Sequence, residues 1–166
     1  DVSARHNVPF FDRSNFDGFA VRAEDTFGAE ETQPIRFTLN PESLHSGVIP
    51  NCTVAPETAT PIATGGVLPR GADGVVLIEN THPLAGGIQV LKPIAPGSGI
   101  SHAGSDIGAG EVVLRRGDLL GHRETGTLAA LGEAQVWVWR KPRVGILSTG
   151  DELVAPGSTI STGKVY

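Results

Sequence analysis

Near its C-terminal end the chain places two carboxylates directly after a small-residue turn: Ser148-Thr149-Gly150-Asp151-Glu152 follows the apolar run at residues 144–147. A strand running into such a turn leaves hydroxyls and backbone N–H groups for an anion, and a following helix would add its positive end. Asp151 and Glu152 suit a metal ion or a proton relay better than a bare phosphate cradle; they could equally cap that helix electrostatically. Earlier, Asp17-Gly18 sets a carboxylate at a turn. It is either ordinary turn chemistry or a ligand for a divalent cation or an oxyanion. Thr64-Gly65-Gly66 offers a hydroxyl and backbone N–H groups to an oxyanion, or is a tight connection whose glycines relieve strain. Asp106, in Gly104-Ser105-Asp106, is a further acid within a glycine-rich stretch.

Other reactive side chains carry less. His6, His45, His82 and His122 show no metal-ligand spacing, and His102 is a lone loop histidine. Cys52 is the single cysteine, so an internal disulfide and a thiolate metal cluster are excluded. Thirteen basic residues against 18 acidic ones give a net charge of -5, without a basic run, which argues against a nucleic-acid partner. No apolar run is long enough to span a membrane, and the first residues do not form a signal peptide. A cytoplasmic protein is expected.

These residues need short elements to hold them. Gly 22 and Pro 12 favour many turns and brief strands. Strands are expected after the Asp17-Gly18 turn, at 34–39, at 74–79, at 111–114, at 135–139 by alternation, and at 144–147 as a buried strand. Gly86-Gly87 reads as a hairpin turn with 88–91 as its return strand. Residues 40–60 and 95–110 read as loop, the former with one short strand. One helix is expected at about 119–131, with Asp118 as N-cap and Gly132 as its stop. Only 14 residues follow Glu152, whereas a strand-helix-strand crossover needs roughly 30. The expectation is therefore a piece of a larger enzyme, mainly β with one helix.

Three segments together carry a family resemblance. Ser14-Asn15-Phe16-Asp17-Gly18-Phe19-Ala20-Val21 resembles a Ser-Ala-Met-Asp-Gly-Tyr-Ala-Val motif. Residues 62–73, Ile-Ala-Thr-Gly-Gly-Val-Leu-Pro-Arg-Gly-Ala-Asp, resemble Ile-Met-Thr-Gly-Ala-Pro-Leu-Pro-x-Gly-Ala-Asp. Residues 142–153 resemble Pro-x-Val-x-Ile-x-Ser-Thr-Gly-Asp-Glu-Leu. In this order they mark the molybdopterin molybdotransferases (MoeA, and the E domain of gephyrin), and the resemblance covers nearly the whole chain.

The resemblance implies a MoeA-like β-rich second domain at 10–97, a first-domain remnant at 1–9, a returning first-domain part at 98–135, and the start of a truncated α/β third domain at 136–166. It implies an enzyme that inserts molybdate into adenylylated molybdopterin with release of AMP, using Mg²⁺, as a cytoplasmic homodimer. On the matching positions, Asp17, Asp106 and Glu152 would be catalytic. Thr64, Gly65, Ser148, Thr149 and Gly150 would bind substrate, and Asp17, Asp151 and Glu152 would meet the metal. This sequence departs from the family pattern before Asp106: Ser105 replaces a glutamate, and residues 99–103 lack the family's arginines, the natural clamp for phosphate or molybdate. The alternative is a non-catalytic binding or scaffold paralogue of the same pathway.

Overall fold

Dense glycine and proline produce strands of two to five residues and one short helix. The computed structural model describes residues 1–166, which divide into two units, Asp1–Ala134 and Gln135–Tyr166.

In the first unit the strands are β1 (Val2–Ser3), β2 (Arg13–Ser14), β3 (Gly18–Val21), β4 (Ile35–Leu39), β5 (Thr58–Ile62), β6 (Gly74–Leu77), β7 (Thr81–Leu84), β8 (Gly87–Val90), β9 (Ile100–Ser101) and β10 (Val112–Leu114). Six of them form a mixed sheet in the order β6-β3-β5-β4-β8-β7. Only β4 and β5 run parallel. Two small antiparallel ladders, β1 with β10 and β2 with β9, tie the N-terminal segment to residues 100–114.

Strand alternation explains the packing, because successive side chains point to opposite faces. Val21, Phe37, Ala59, Val76, Ile88 and Val90 build one core cluster. Ala20, Ile62 and Val75, their neighbours on β3, β5 and β6, build a second with Leu44. The sheet is thus apolar on both faces at β3 and β6, which is why Gly-Val-Val-Leu reads as a continuous apolar run rather than an alternating one. Each large side chain buried this way contributes about 1.5–3 kcal/mol relative to exposure. The buried Thr60 hydroxyl accepts from Asn40 Nδ2 at 2.8 Å, so its polarity is satisfied. At the edge, β7 carries Pro83, which withholds an N–H from further pairing.

The mainly β architecture with one helix matches the expectation; several local readings do not. The hairpin around Gly86 joins β7 to β8, while β6 pairs with β3, because Ile78–Asn80 turns as a short 3₁₀ segment and starts a new strand. The helix α1 is His122–Ala130, shorter than 119–131. Asp118 does not cap it: its Oδ2 accepts from the Arg115 N–H at 2.7 Å and closes a turn. Gly121 is the N-cap residue, and its N–H donates to Glu124 Oε2 at 2.8 Å. Leu128 and Leu131 are buried, but Leu119 is exposed ahead of the helix.

In the second unit neither expected strand forms. Residues 135–139 and 144–147 lie outside any strand, and Trp137, Trp139, Val144, Ile146 and Leu147 are all exposed. Strand-forming residues gain their stability from strand pairing and burial, and these residues belong to no strand and are exposed. No helix follows Glu152 either. Residues 150–153 make a turn, and Leu153 bridges to Val165 in parallel.

Candidate functional site

The loop between β2 and β3 delivers Asp17 to the turn that follows β5. The Thr64 N–H donates to Asp17 Oδ1 at 2.7 Å, and the Thr64 hydroxyl donates to the same oxygen at 2.8 Å. The two residues lie 47 positions apart in sequence. Oδ2 is left without a hydrogen-bond partner. The Thr64 amide first, and its hydroxyl second, hold the Asp17 carboxyl below the ordinary aspartate value, so it is ionised at neutral pH. The Asp17 carbonyl accepts from the Ile78 N–H at 3.2 Å.

Backbone approach explains the Gly after Asp17. Gly18 lies between β5 and β6, and a Cβ built on it would stand 2.0 Å from the Val76 carbonyl oxygen. Gly65 has a φ of +79°, which only glycine adopts at little cost, and a Cβ there would come within 2.8 Å of Ser46 Oγ. Ser46 Oγ in turn donates to the Thr64 carbonyl at 3.1 Å.

The three N–H groups of the Thr64 turn are engaged within the fold, as in a tight connection. The Thr64 N–H is taken by Asp17. The Gly65 N–H donates to the Ser14 carbonyl at 2.8 Å and the Gly66 N–H to the Ala63 carbonyl at 2.9 Å. What this corner presents is an ionised carboxylate oxygen on a fixed frame, an acceptor rather than an anion nest.

The other candidates are placed differently. Asp106 is exposed on the loop after β9; its N–H donates to the Val8 carbonyl at 3.0 Å and its carboxylate engages no hydrogen bond. The preceding loop is strapped to the segment before Asp17. The Ala103 N–H donates to Asp12 Oδ1 at 2.7 Å, and His102 Nδ1 lies 3.4 Å from Asp12 Oδ2. Ser101 Oγ donates to Asn15 Oδ1 at 2.6 Å, and the Asn15 N–H donates to the Gly99 carbonyl at 2.8 Å. In the second unit Ser148, Thr149, Gly150, Asp151 and Glu152 are all exposed. The Leu153 N–H donates to the Gly150 carbonyl at 3.1 Å, Lys164 Nζ donates to the Asp151 carbonyl, and the Val165 N–H donates to the Glu152 carbonyl at 2.8 Å. These bonds use backbone oxygens and leave the carboxylates at the surface.

No three His, Cys, Asp or Glu side chains gather to hold a metal ion. Mg²⁺ is commonly bound through one or two carboxylates together with water and substrate phosphates. Asp17 fits a site of that kind, completed by water and substrate rather than by a cage of side chains within one unit.

Sequence reading passed over Asp12 and Ser14 as site-shaping residues. Ser14 had a usable signal, a hydroxyl two residues before Phe16 in a turn-forming stretch. The partner of Asp12, at Ala103, is 91 residues away and leaves no local mark.

Residues 1–132 match the family model for the MoeA N-terminal region, domains I and II. The chain is 37% identical over 166 residues to molybdopterin molybdenumtransferase 2 of Mycobacterium tuberculosis, covering 100% of this chain and 41% of that protein. It is 38% identical over 169 residues to molybdopterin molybdenumtransferase of Bacillus subtilis, covering 99% and 39%. A crystal structure of the molybdopterin biosynthesis MoeA protein from Pyrococcus horikoshii OT3 superposes with a TM-score of 0.89 at 40% identity, over 98% of this chain and 42% of that one. The chain thus spans about two fifths of the length of the relatives it matches.

Proposed function

This chain belongs to the MoeA N-terminal region family, and on that footing we propose that it serves molybdenum cofactor biosynthesis as part of a molybdopterin molybdotransferase. The reaction is insertion of molybdate into adenylylated molybdopterin with release of AMP. The observation that carries this reading is the Asp17–Thr64 pair, a carboxylate fixed by two donors where two of the family-like motifs converge.

The electrostatics narrow the role of Asp17. An ionised carboxylate repels molybdate directly, so Asp17 works on the side of the reaction that bears protons or positive charge. Its free Oδ2 would accept from N–H donors of the pterin or, with Asp151 and Glu152, would hold Mg²⁺. When bound, Mg²⁺ supplies charge neutralisation for the phosphate and molybdate oxygens. Thr64 holds the carboxylate in one orientation, so no reorganisation is required when substrate arrives. Asp106, Asp151 and Glu152, with Ser148, Thr149 and Gly150, are proposed to complete the site in a cytoplasmic homodimer. No helix of the chain is long and apolar enough to cross a membrane.

The scaffold reading has one observation in its favour. Where the family-like loop would bring arginines, residues 99–103 bring His102, engaged with Asp12 instead of standing free. The experiment that decides is Asp17→Asn and Glu152→Gln in the full-length parent, assayed for active cofactor from adenylylated molybdopterin and molybdate. Loss of one transition-state contact costs about 10²–10³ in rate, and melting should stay normal. Wild-type turnover in both folded variants would refute the roles given to Asp17 and Glu152, whereas a folded wild-type parent without turnover would transfer the case to the scaffold.

A further inference from the structure

One buried side chain stands behind the contact between Asp17 and Thr64. Ser14 is 1% exposed although its side chain is polar. Its hydroxyl donates to the Phe16 carbonyl at 2.6 Å and accepts from the Phe16 N–H at 3.2 Å. Both bonds close on the residue just before Asp17, so they fix the direction in which the chain enters it. The Ser14 backbone meanwhile grips the turn that bears Thr64. The Ser14 N–H donates to the Gly66 carbonyl at 3.0 Å, and the Gly65 N–H donates to the Ser14 carbonyl at 2.8 Å. One residue therefore sets both ends of a contact between two exposed side chains, which solvent alone would leave free to separate.

We propose that Ser14 is a positioning residue: its hydroxyl shapes residues 14–16 so that Asp17 Oδ1 meets the N–H and hydroxyl of Thr64. The inference deepens the reading of Asp17 as a site residue and rests on it for its functional meaning. The geometry itself needs no substrate. A residue that only filled space at this position would be replaced by alanine without consequence for Thr64, because the methylene is kept and only the oxygen is lost.

The test is amide hydrogen exchange by NMR on the 166-residue chain as wild type, Ser14→Ala and Ser14→Thr. The Thr64 amide reports the contact with Asp17, and the amides of β3 and β4 report global stability. In Ser14→Ala, Thr64 exchange should accelerate about tenfold relative to the core amides. Ser14→Thr, which keeps the hydroxyl, should hold the wild-type ratio. The proposal is overturned if Thr64 in Ser14→Ala merely tracks the core amides or keeps its wild-type ratio. It is also overturned if Ser14→Ala fails to fold, which would make Ser14 a residue of global stability, or if Ser14→Thr behaves like Ser14→Ala. No substrate enters the measurement, so it can fail while Asp17→Asn still abolishes turnover in the parent, and it can succeed while that variant stays active.

Discussion

Asp17 lies between two strands of the first unit, with its carboxylate held by two donors and its neighbour Gly18 pressed between β5 and β6. Asp151 and Glu152 lie on a turn of the second unit, after apolar residues Val144, Ile146 and Leu147 that are exposed rather than paired. All three carboxylates sit in motifs of similar clarity, one in the first unit and one in the second. Only the first has, within this chain, the sheet that turns a motif into fixed geometry. A motif names the atoms that do chemistry; the supporting strands decide whether those atoms have a defined position.

The largest expected effect breaks the two regions apart by burial. Phe37 is fully buried at the centre of the sheet, whereas Trp137 is fully exposed. Phe37→Ala should lower stability by about 3–5 kcal/mol, and Trp137→Ala should stay within about 0.5 kcal/mol. Urea denaturation of the chain, followed by the far-ultraviolet signal, measures both. Equal losses would mean that the second unit is packed in a way its exposure does not reflect.

A smaller effect separates two glycines. A Cβ on Gly18 meets the Val76 carbonyl oxygen, a backbone atom that can yield only if strands shift, while a Cβ on Gly145 meets nothing within 4 Å. Gly18→Ala should cost roughly 1–3 kcal/mol and disturb Asp17 with it. Gly145→Ala should be silent in the same denaturation experiment.

The same contrast explains what could be read in advance. The strands at 35–39 and 112–114 were legible because apolar pattern and tertiary pairing agree there. Residues 135–139 and 144–147 have equally good strand patterns but no partner strand, and pattern alone cannot supply one. The helix was legible from Leu128, Leu131 and Gly132. Its start was not, because Asp118 suits a turn with Arg115 as well as it suits a cap, and a Gly121 N-cap leaves no side-chain signature. At the site, Asp17 and Thr64 were legible as separate residues of two motifs. Their contact spans 47 residues and depends on β3 pairing with β5, a non-local fact. The consumption of the Thr64 and Gly65 N–H groups was hidden for the same reason, because their acceptors Asp17 and Ser14 are distant in sequence, whereas the Gly66 N–H closes the local turn on the Ala63 carbonyl.

The smallest effect sharpens the comparison by removing one bond and leaving the sheet intact. Asp17 should titrate below the ordinary aspartate value, chiefly because of the Thr64 amide and secondarily because of the Thr64 hydroxyl. Thr64→Val deletes the hydroxyl and keeps the amide, so the carboxyl should move part of the way back up. Carboxyl ¹³C titration of Asp17 by NMR reads this without any substrate. The sign for stability follows from the depression. A group whose pKa is lower in the folded chain stabilises it fully above its unfolded value, about 3.9. That contribution is lost as pH falls through the folded value. The pair should therefore leave stability unchanged around neutrality and weaken the fold only in acid below roughly pH 4. In Thr64→Val the acid-sensitive part of the stability curve should shrink. If Asp17 instead titrates at or above the ordinary value in the wild-type chain, the two donors do not hold it, and the contrast with Asp151 and Glu152 disappears.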